Sequence, residues 1–312
     1  MRFLIFLISA LVAYNAVSIY FLTLGSSKSS STAYSSPDLT AYFSARSAAH
    51  PTRGSAFDSL LTFKQSTVLG SSTSAESPQK TNSQPITHNS PASPAGKQLT
   101  IALLGDSMID TLGPDLPHLK KELAKRFQKT QFTLLNYGAG ATNIESGLSR
   151  LTNSYSYLGE TKPALLTQNP DIVVIESFAY NHWDNDQSSL DRQWTTLAKI
   201  IDTIKKHDPK TGIILAASIA PNCQTYTDGS ANLPPGRKQT ECETVKAYLQ
   251  NIVNFAGSQH YPLADAYHAS LYGADGNPKY INSGDHIHPS DEGKTLFSQK
   301  TAEAIRQMLG PD

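Results

Sequence analysis

"LTIALLGDS", residues 99 to 107, sets an apolar run directly before a small, an acidic and a hydroxyl residue, Gly105, Asp106 and Ser107. The run has the length and composition of a buried strand, and the triplet reads as the turn that leaves it. Working outward, "LPHLKKELAKRFQ" (116–128) places Leu116, Leu119, Leu123 and Phe127 on one helical stripe. "FTLLNYG" (132–138) is a second strand, and "DIVVIES" (171–177), apolar and β-branched through its centre, is the strongest strand signal. A helix follows over 190–207 with Trp194, Leu197, Ile201 and Ile204 toward the core, then the strand "GIILAAS" (212–218). A helix over 244–256, the short strand "YPLADA" (261–266) and a last helix over 289–309 complete the series. Ser290 can cap that helix, and Asp291 and Glu292 suit its first turn. Strand and helix alternation of this kind predicts a parallel sheet covered on both faces, a three-layer α/β/α sandwich. Ligands in such sheets bind beyond the carboxyl ends of the strands.

The composition changes near residue 98. Residues 3–24 carry no charge and are long enough to span a bilayer, which takes roughly 20 apolar residues. The apolar stretch continues through Ile19, Tyr20, Phe21 and Leu22 without a small-x-small cleavage site, so an uncleaved signal anchor is expected, with everything after residue 25 outside. Residues 25–98, rich in Ser, Thr, Ala and Pro, read as a disordered tether in which "AFDSLLTFKQ" (56–65) forms either a transient turn or a short helix that docks on the folded domain. Residues 99–312 suffice for one catalytic domain. The chain has 26 basic and 26 acidic residues; with 7 and 3 of these before position 99, the remainder holds 19 and 23, a net charge of about −4. No basic stripe is present, which argues against a nucleic-acid partner. Cys223 and Cys242, the two cysteines, bracket a polar segment rich in Gly and Pro, and outside the cell they are expected to pair.

The strand-end rule selects the chemistry. Ser107 follows the first strand, Gly138 and Gly140 the second, Asn181 the third, and Asp285 and His288 precede the last helix. A hydroxyl nucleophile, a base, an orienting carboxylate and oxyanion donors are the parts of an acyl-transfer site. In "SGDHIHPSDEG" (283–293), Asp285 is three residues before His288, so its carboxylate can hold one ring nitrogen while the other faces Ser107. Pro289 restricts His288 to extended backbone. His286, with Asp285 and His288, also has the look of a metal-ligand fragment, but two histidines alternating on an extended stretch point to opposite faces. His286 is therefore read as lining the cleft or facing solvent, and no metal or other cofactor is expected. The Gly-x-Ser-x-Gly elbow of α/β-hydrolases is not met, because Met108 and Ile109 follow Ser107.

These blocks resemble the SGNH (GDSL-type) hydrolase family. Gly105-Asp106-Ser107 is similar to its first block, "NYGAGATN" to its second, Asn181 to the Asn of its third, and Asp285, His288 and Pro289 to its last. The resemblance spans about residues 100–310 and implies a flavodoxin-like sheet of five parallel strands. It also implies a Ser107–His288–Asp285 triad and an oxyanion hole of the Ser107 and Gly140 N–H groups with the Asn181 amide. Gly138 competes with Gly140, since the usual Asn-to-Gly spacing is a residue longer. Ala179 and His182 stand where the third block usually has Gly and Asp. The expected activity is serine-dependent ester hydrolysis by an extracytoplasmic, membrane-anchored esterase, with O-acetyl groups on cell-wall or surface glycans as substrate. An acyltransferase, a lipid or short-chain esterase and a non-catalytic glycan-binding module are the alternatives. Tyr180, His182 and Trp183 are candidates either for stacking on a sugar ring or for packing a loop.

Overall fold

The computed structural model of the protein describes residues 97–311. The apolar segment 3–24 and the polar segment as far as residue 96 lie outside the described residues. Among the described residues, no helix is long and apolar enough to cross a membrane.

The first strand, β1 (Gln98–Gly105), starts one residue earlier than its apolar run and is buried from Ile101 onward. It is an inner strand of a sheet, with the edge strand β2 (Gln131–Gly138) on one side and the central β5 (Ile172–Glu176) on the other. Beyond β5 lie β6 (Gly212–Ala217) and β7 (Leu263–Asp265). All four pairings are parallel. The order, 2-1-3-4-5 when only the strands of this sheet are counted, is flavodoxin-like. Five consecutive buried residues in β5 explain its strong sequence signal: a strand covered on both faces has no polar side to show. Register sets Gly105 opposite Gly138, so two residues without side chains share the carboxyl edge.

Helices cover both faces. On one side pack α2 (Pro117–Arg126) and the last helix, α7 (Asp291–Leu309); on the other pack α3 (Ile144–Thr152), α4 (Gln187–His207) and α5 (Pro235–Gln259). A single turn, α1 (Ser107–Asp110), and another, α6 (Ala266–Ala269), sit directly after β1 and β7. A hairpin of β3 (Tyr155–Tyr157) and β4 (Glu160–Lys162) follows α3, and a second, β8 (Leu271–Tyr272) with β9 (Asp275–Gly276), follows α6.

Several elements differ from the pattern read in the sequence. Leu116 and Phe127 are buried as expected but flank α2, Leu116 in a left-handed conformation and Phe127 in an extended one. In α4 the buried face includes Gln193 and Ile200, while Trp194 sits half-buried with its ring edge-on to Phe255 at 4.8 Å. Gln193 tolerates burial because its amide donates to the Ser177 carbonyl at 2.7 Å and accepts from Asn251 at 2.8 Å. Helix α5 begins nine residues before the expected Thr244, with Pro235 in its first turn and Arg237 paired to Glu241 at 3.0 Å. Its first two turns are solvated, so they lack the apolar period by which the rest was read.

Cys223 and Cys242 are joined in a disulfide that ties the loop after β6 to α5 across a separation of 19 residues. Closing a loop of this size constrains the unfolded chain by roughly 3 kcal/mol. Replacing both cysteines by serine is expected to lower Tm by about 6–12 °C for a domain of this size. Calorimetry of the double variant against the oxidised protein checks this; an unchanged Tm contradicts it.

Candidate active site

The carboxyl edge of β1 turns on Gly105, where an added Cβ would lie 2.3 Å from Ile109 Cγ1 and 2.9 Å from Glu176 Cβ. Glycine is required there by space. Asp106 caps α1 and is fully buried: Oδ1 accepts from the Met108 N–H at 2.8 Å and Oδ2 from the Asn181 amide Nδ2 at 2.9 Å. Ser107, the first residue of α1, is partly exposed at this edge. Asn181 closes a 3-10 turn, Ala179–Asn181, entered through Phe178 at φ 53°. The link to Asp106 uses one N–H of the Asn181 amide, and a second N–H remains on the same nitrogen.

The two competing glycines separate here. Gly138 donates its N–H to Asn136 Oδ1 at 2.8 Å, and Asn136 Nδ2 donates to the Ile109 and Gly113 carbonyls at 3.0 and 2.9 Å. A Cβ at Gly138 would strike the Asp110 backbone N at 2.2 Å. Gly138 is thus a packing residue. Gly140 adjoins Ser107, with an added Cβ 3.6 Å from Ser107 Cβ. Its N–H donates to Tyr157 Oη at 2.9 Å.

Asp285 and His288 form a closed unit. Asp285 Oδ1 accepts from the Ile287 and His288 N–H groups at 2.9 and 3.0 Å, while Oδ2 lies 2.8 Å from His288 Nδ1. Burial raises the Asp285 pKa, but the His288 ring and these two backbone donors outweigh it and hold the carboxyl at about 2. The ionised carboxylate fixes Nδ1–H on the ring and leaves Nε2 to act. His288 is near enough to Asp106, the residue before Ser107, to favour its charged form, against the burial that raises the Asp106 pKa. A second Asp-x-x-His, Asp265 and His268 (Oδ2 to Nδ1 2.7 Å), follows β7, and its other charged neighbour is Lys300.

The turn carrying Asp285 leans on the disulfide-closed loop. Ser230 Oγ donates to the Asp285 carbonyl at 3.0 Å, and His286 Nδ1 donates to the Asp228 carbonyl at 2.8 Å. Gly229 (φ 79°) approaches so closely that a Cβ would meet the Gly284 carbonyl oxygen at 2.2 Å. His286, at φ 52° and partly exposed, therefore also braces the loop. Among the described residues, the grouping of metal-ligating types is Cys223, Cys242 and Asp275, in which both sulfurs belong to the disulfide.

Three residues beneath the edge escaped the sequence reading. Arg150 in α3 is buried, donating to the Tyr137 and Gly105 carbonyls at 2.6 and 3.0 Å, with its guanidinium over the Tyr155 and Phe178 rings. Its helix, capped by Asn143, was also missed, although Ile144, Gly147 and Leu151 mark a buried face. Glu176 is fully buried at the end of β5, hydrogen-bonded with Ser177 and Ser218 and accepting from the Phe178 N–H. A Glu closing an otherwise apolar strand was the available signal. Tyr157, the third, is taken up below. Of the aromatic residues beside Asn181, Tyr180 packs against the core and donates to the Ile219 carbonyl at 2.9 Å, and His182 stacks on Tyr248. Both pack the loop and are not free to stack on a sugar. Trp183 is half-buried with the Arg192 guanidinium 4.0 Å from its ring centre.

Burial, and then the charge of Asp106, push the Glu176 pKa up from 4.5 to about 8, so its carboxyl is neutral at pH 7. Between those values the unfolded chain has lost a proton that the folded one keeps, and stability falls as pH rises from about 4.5 to about 8. Glu176→Gln is expected to abolish this contribution, flattening the decline in Tm over that range. Melting curves at pH 5 and pH 8 for both proteins check it; equal declines would refute it.

Over residues 103–296 the sequence matches the GDSL-like lipase/acylhydrolase family. Among solved structures, the chain is similar to a lipase/acylhydrolase from Enterococcus faecalis at 20% identity, covering 69% of this chain and 98% of that chain with a TM-score of 0.50. It is also similar to a GDSL-like lipase from Bacteroides thetaiotaomicron, at 16% identity, 67% and 89% coverage and a TM-score of 0.47. A third similarity is to a variant of an acetylxylan esterase from Geobacillus stearothermophilus, at 18% identity, 70% and 96% coverage and a TM-score of 0.45. No curated protein matches the sequence.

Proposed function

This chain belongs to the GDSL-like lipase/acylhydrolase family, and from that premise we propose that Ser107 is its nucleophile, His288 its general base and Asp285 the carboxylate that orients the base. The observation that carries the assignment is the 2.8 Å contact between Asp285 Oδ2 and His288 Nδ1, with His288 within electrostatic reach of Asp106, the residue before Ser107. His288 Nε2 takes the Ser107 proton as Oγ attacks the ester carbonyl. The negative charge passes to the carbonyl oxygen, held by the Ser107 and Gly140 N–H groups and the second Asn181 N–H. The C–O bond to the alcohol breaks as His288 returns the proton to it. Water, deprotonated by His288, then releases the acid and regenerates Ser107.

Ser107→Ala is expected to abolish both ester hydrolysis and covalent labelling by a fluorophosphonate. Asn181→Ala is expected to lower kcat by about 10²–10³ with a much smaller change in KM, because its amide acts on the developing charge. Steady-state kinetics on p-nitrophenyl acetate distinguish the outcomes; an unchanged kcat removes Asn181 from the mechanism.

For the substrate we favour O-acetyl groups on cell-wall or surface glycans. Support comes from Trp183, two residues after Asn181, whose ring is backed by an Arg192 guanidinium that Glu145 holds through two 2.7 Å bonds. An aromatic face held still beside an oxyanion donor suits a sugar ring. The apolar segment 3–24 and the polar segment 25–98 fit a membrane anchor and tether that present the domain outside the cell. Trp183→Ala is expected to raise KM for acetylated oligosaccharides while leaving KM for p-nitrophenyl acetate unchanged. Equal effects on both would count against the sugar reading.

A further inference from the structure

Gly140 has a single N–H, and Tyr157 already occupies it. The phenol oxygen accepts that hydrogen at 2.9 Å and donates its own to Asp110 Oδ2 at 2.8 Å. A Cβ built on Gly140 would lie 2.8 Å from Tyr157 Oη and 3.6 Å from Ser107 Cβ, so phenol and nucleophile flank one residue. Burial keeps the phenol protonated, consistent with its donating to Asp110 while accepting from Gly140.

An ester oxygen that is to take charge beside Ser107 needs the same N–H, within about 3 Å. Two acceptors cannot share one donor at full strength. We propose that Tyr157 is the resting occupant of the oxyanion site, displaced by the ester carbonyl as the substrate seats, and that it thereby sets the rate at which Ser107 becomes competent. The inference rests on the Ser107 and Gly140 roles given above.

The surroundings of Tyr157 suit displacement. It ends β3, next to a turn of Leu158 (φ 50°) and Gly159 (φ 83°), in a hairpin of two three-residue strands. Leu158, at 82% exposed, is one of two large hydrophobic residues standing in solvent among the described residues. The strand after the turn is anchored by Lys162 Nζ to the Asn136 carbonyl at 3.0 Å. Asp110, accepting the phenol hydrogen, strengthens the phenol oxygen as an acceptor and with it the hold on the Gly140 N–H, a neutral hydrogen bond. The developing oxyanion is the stronger acceptor and replaces it.

The test is Tyr157→Phe, which retains the ring and deletes the competing oxygen. Losing a neutral hydrogen-bond competitor is expected to raise kcat/KM on p-nitrophenyl acetate, and the fluorophosphonate labelling rate, roughly three- to tenfold. Asp110→Asn, which weakens the hold on the phenol, should move both rates in the same direction by less. In a 15N-labelled protein, the Gly140 amide peak should shift in Tyr157→Phe without ligand, and in the wild type only after phosphonylation of Ser107. Unchanged or lower rates in both variants, or a Gly140 peak indifferent to phosphonylation, would overturn the proposal while leaving the triad intact. Ser107→Ala assayed alongside separates that failure from failure of the serine mechanism, since a labelled or active Ser107→Ala would refute the mechanism itself.

Discussion

A buried guanidinium holds the reactive edge together. Arg150 donates to the carbonyls that end β1 and β2, to Thr142 Oγ1 at 3.3 Å and to the Ser146 carbonyl at 3.3 Å. The Gly105 carbonyl also accepts from the Ala139 N–H at 3.2 Å, so Arg150 adds a second, charge-assisted donor at this strand end. With it, the Gly105 turn, the Gly138–Thr142 loop and α3 become one rigid block, and Ser107 and Gly140 are held on that block together. The positive charge also favours the charged form of Asp106, as His288 does, against the burial that raises its pKa.

The electrostatics beneath Ser107 follow from that arrangement. Two carboxyls, Asp106 and Glu176, are fully buried near one another, and Arg150 and His288 both favour charge on Asp106. Like charges in such a space cannot both ionise cheaply, so Glu176 keeps its proton and serves as a neutral member of a hydrogen-bond network with Ser177 and Ser218. The Asp106 carboxyl, whose pKa burial raises against the pull of its hydrogen bonds, His288 and Arg150, is the one that also fixes Asn181.

The sheet was legible because its strands are short, apolar and separated by polar helices, a one-dimensional signal that burial on both faces enforces. The candidate residues Gly105, Ser107, Asn181, Asp285 and His288 could be picked out because the carboxyl-edge rule needs only the order of elements. What failed to show depends on side chains meeting across space. Arg150 lies in "GLSRLT", which reads as surface helix until the two carbonyls above it are known. Gly138 and Gly140 look alike in "NYGAG", and the choice between them turns on Asn136 folding back to hold the Gly138 N–H. Tyr157 sits in a polar hairpin whose relevance comes from an amide 17 residues away. The first turns of α5 were invisible for the opposite reason: solvated helix has no apolar period to detect.

The direction of β1 also settles which way the molecule faces. The strand runs from Gln98 to Gly105 and delivers Ser107 at its far end, while α7 starts beside His288 and runs back to Leu309. Lys97 and Gly310 line one common cavity at the opposite pole. Eight residues of strand at about 3.3 Å each put roughly 25 Å of protein between residue 97 and Ser107. Within the described residues, Lys97 and Ser107 therefore stand at opposite ends of β1, with the candidate site at the carboxyl end.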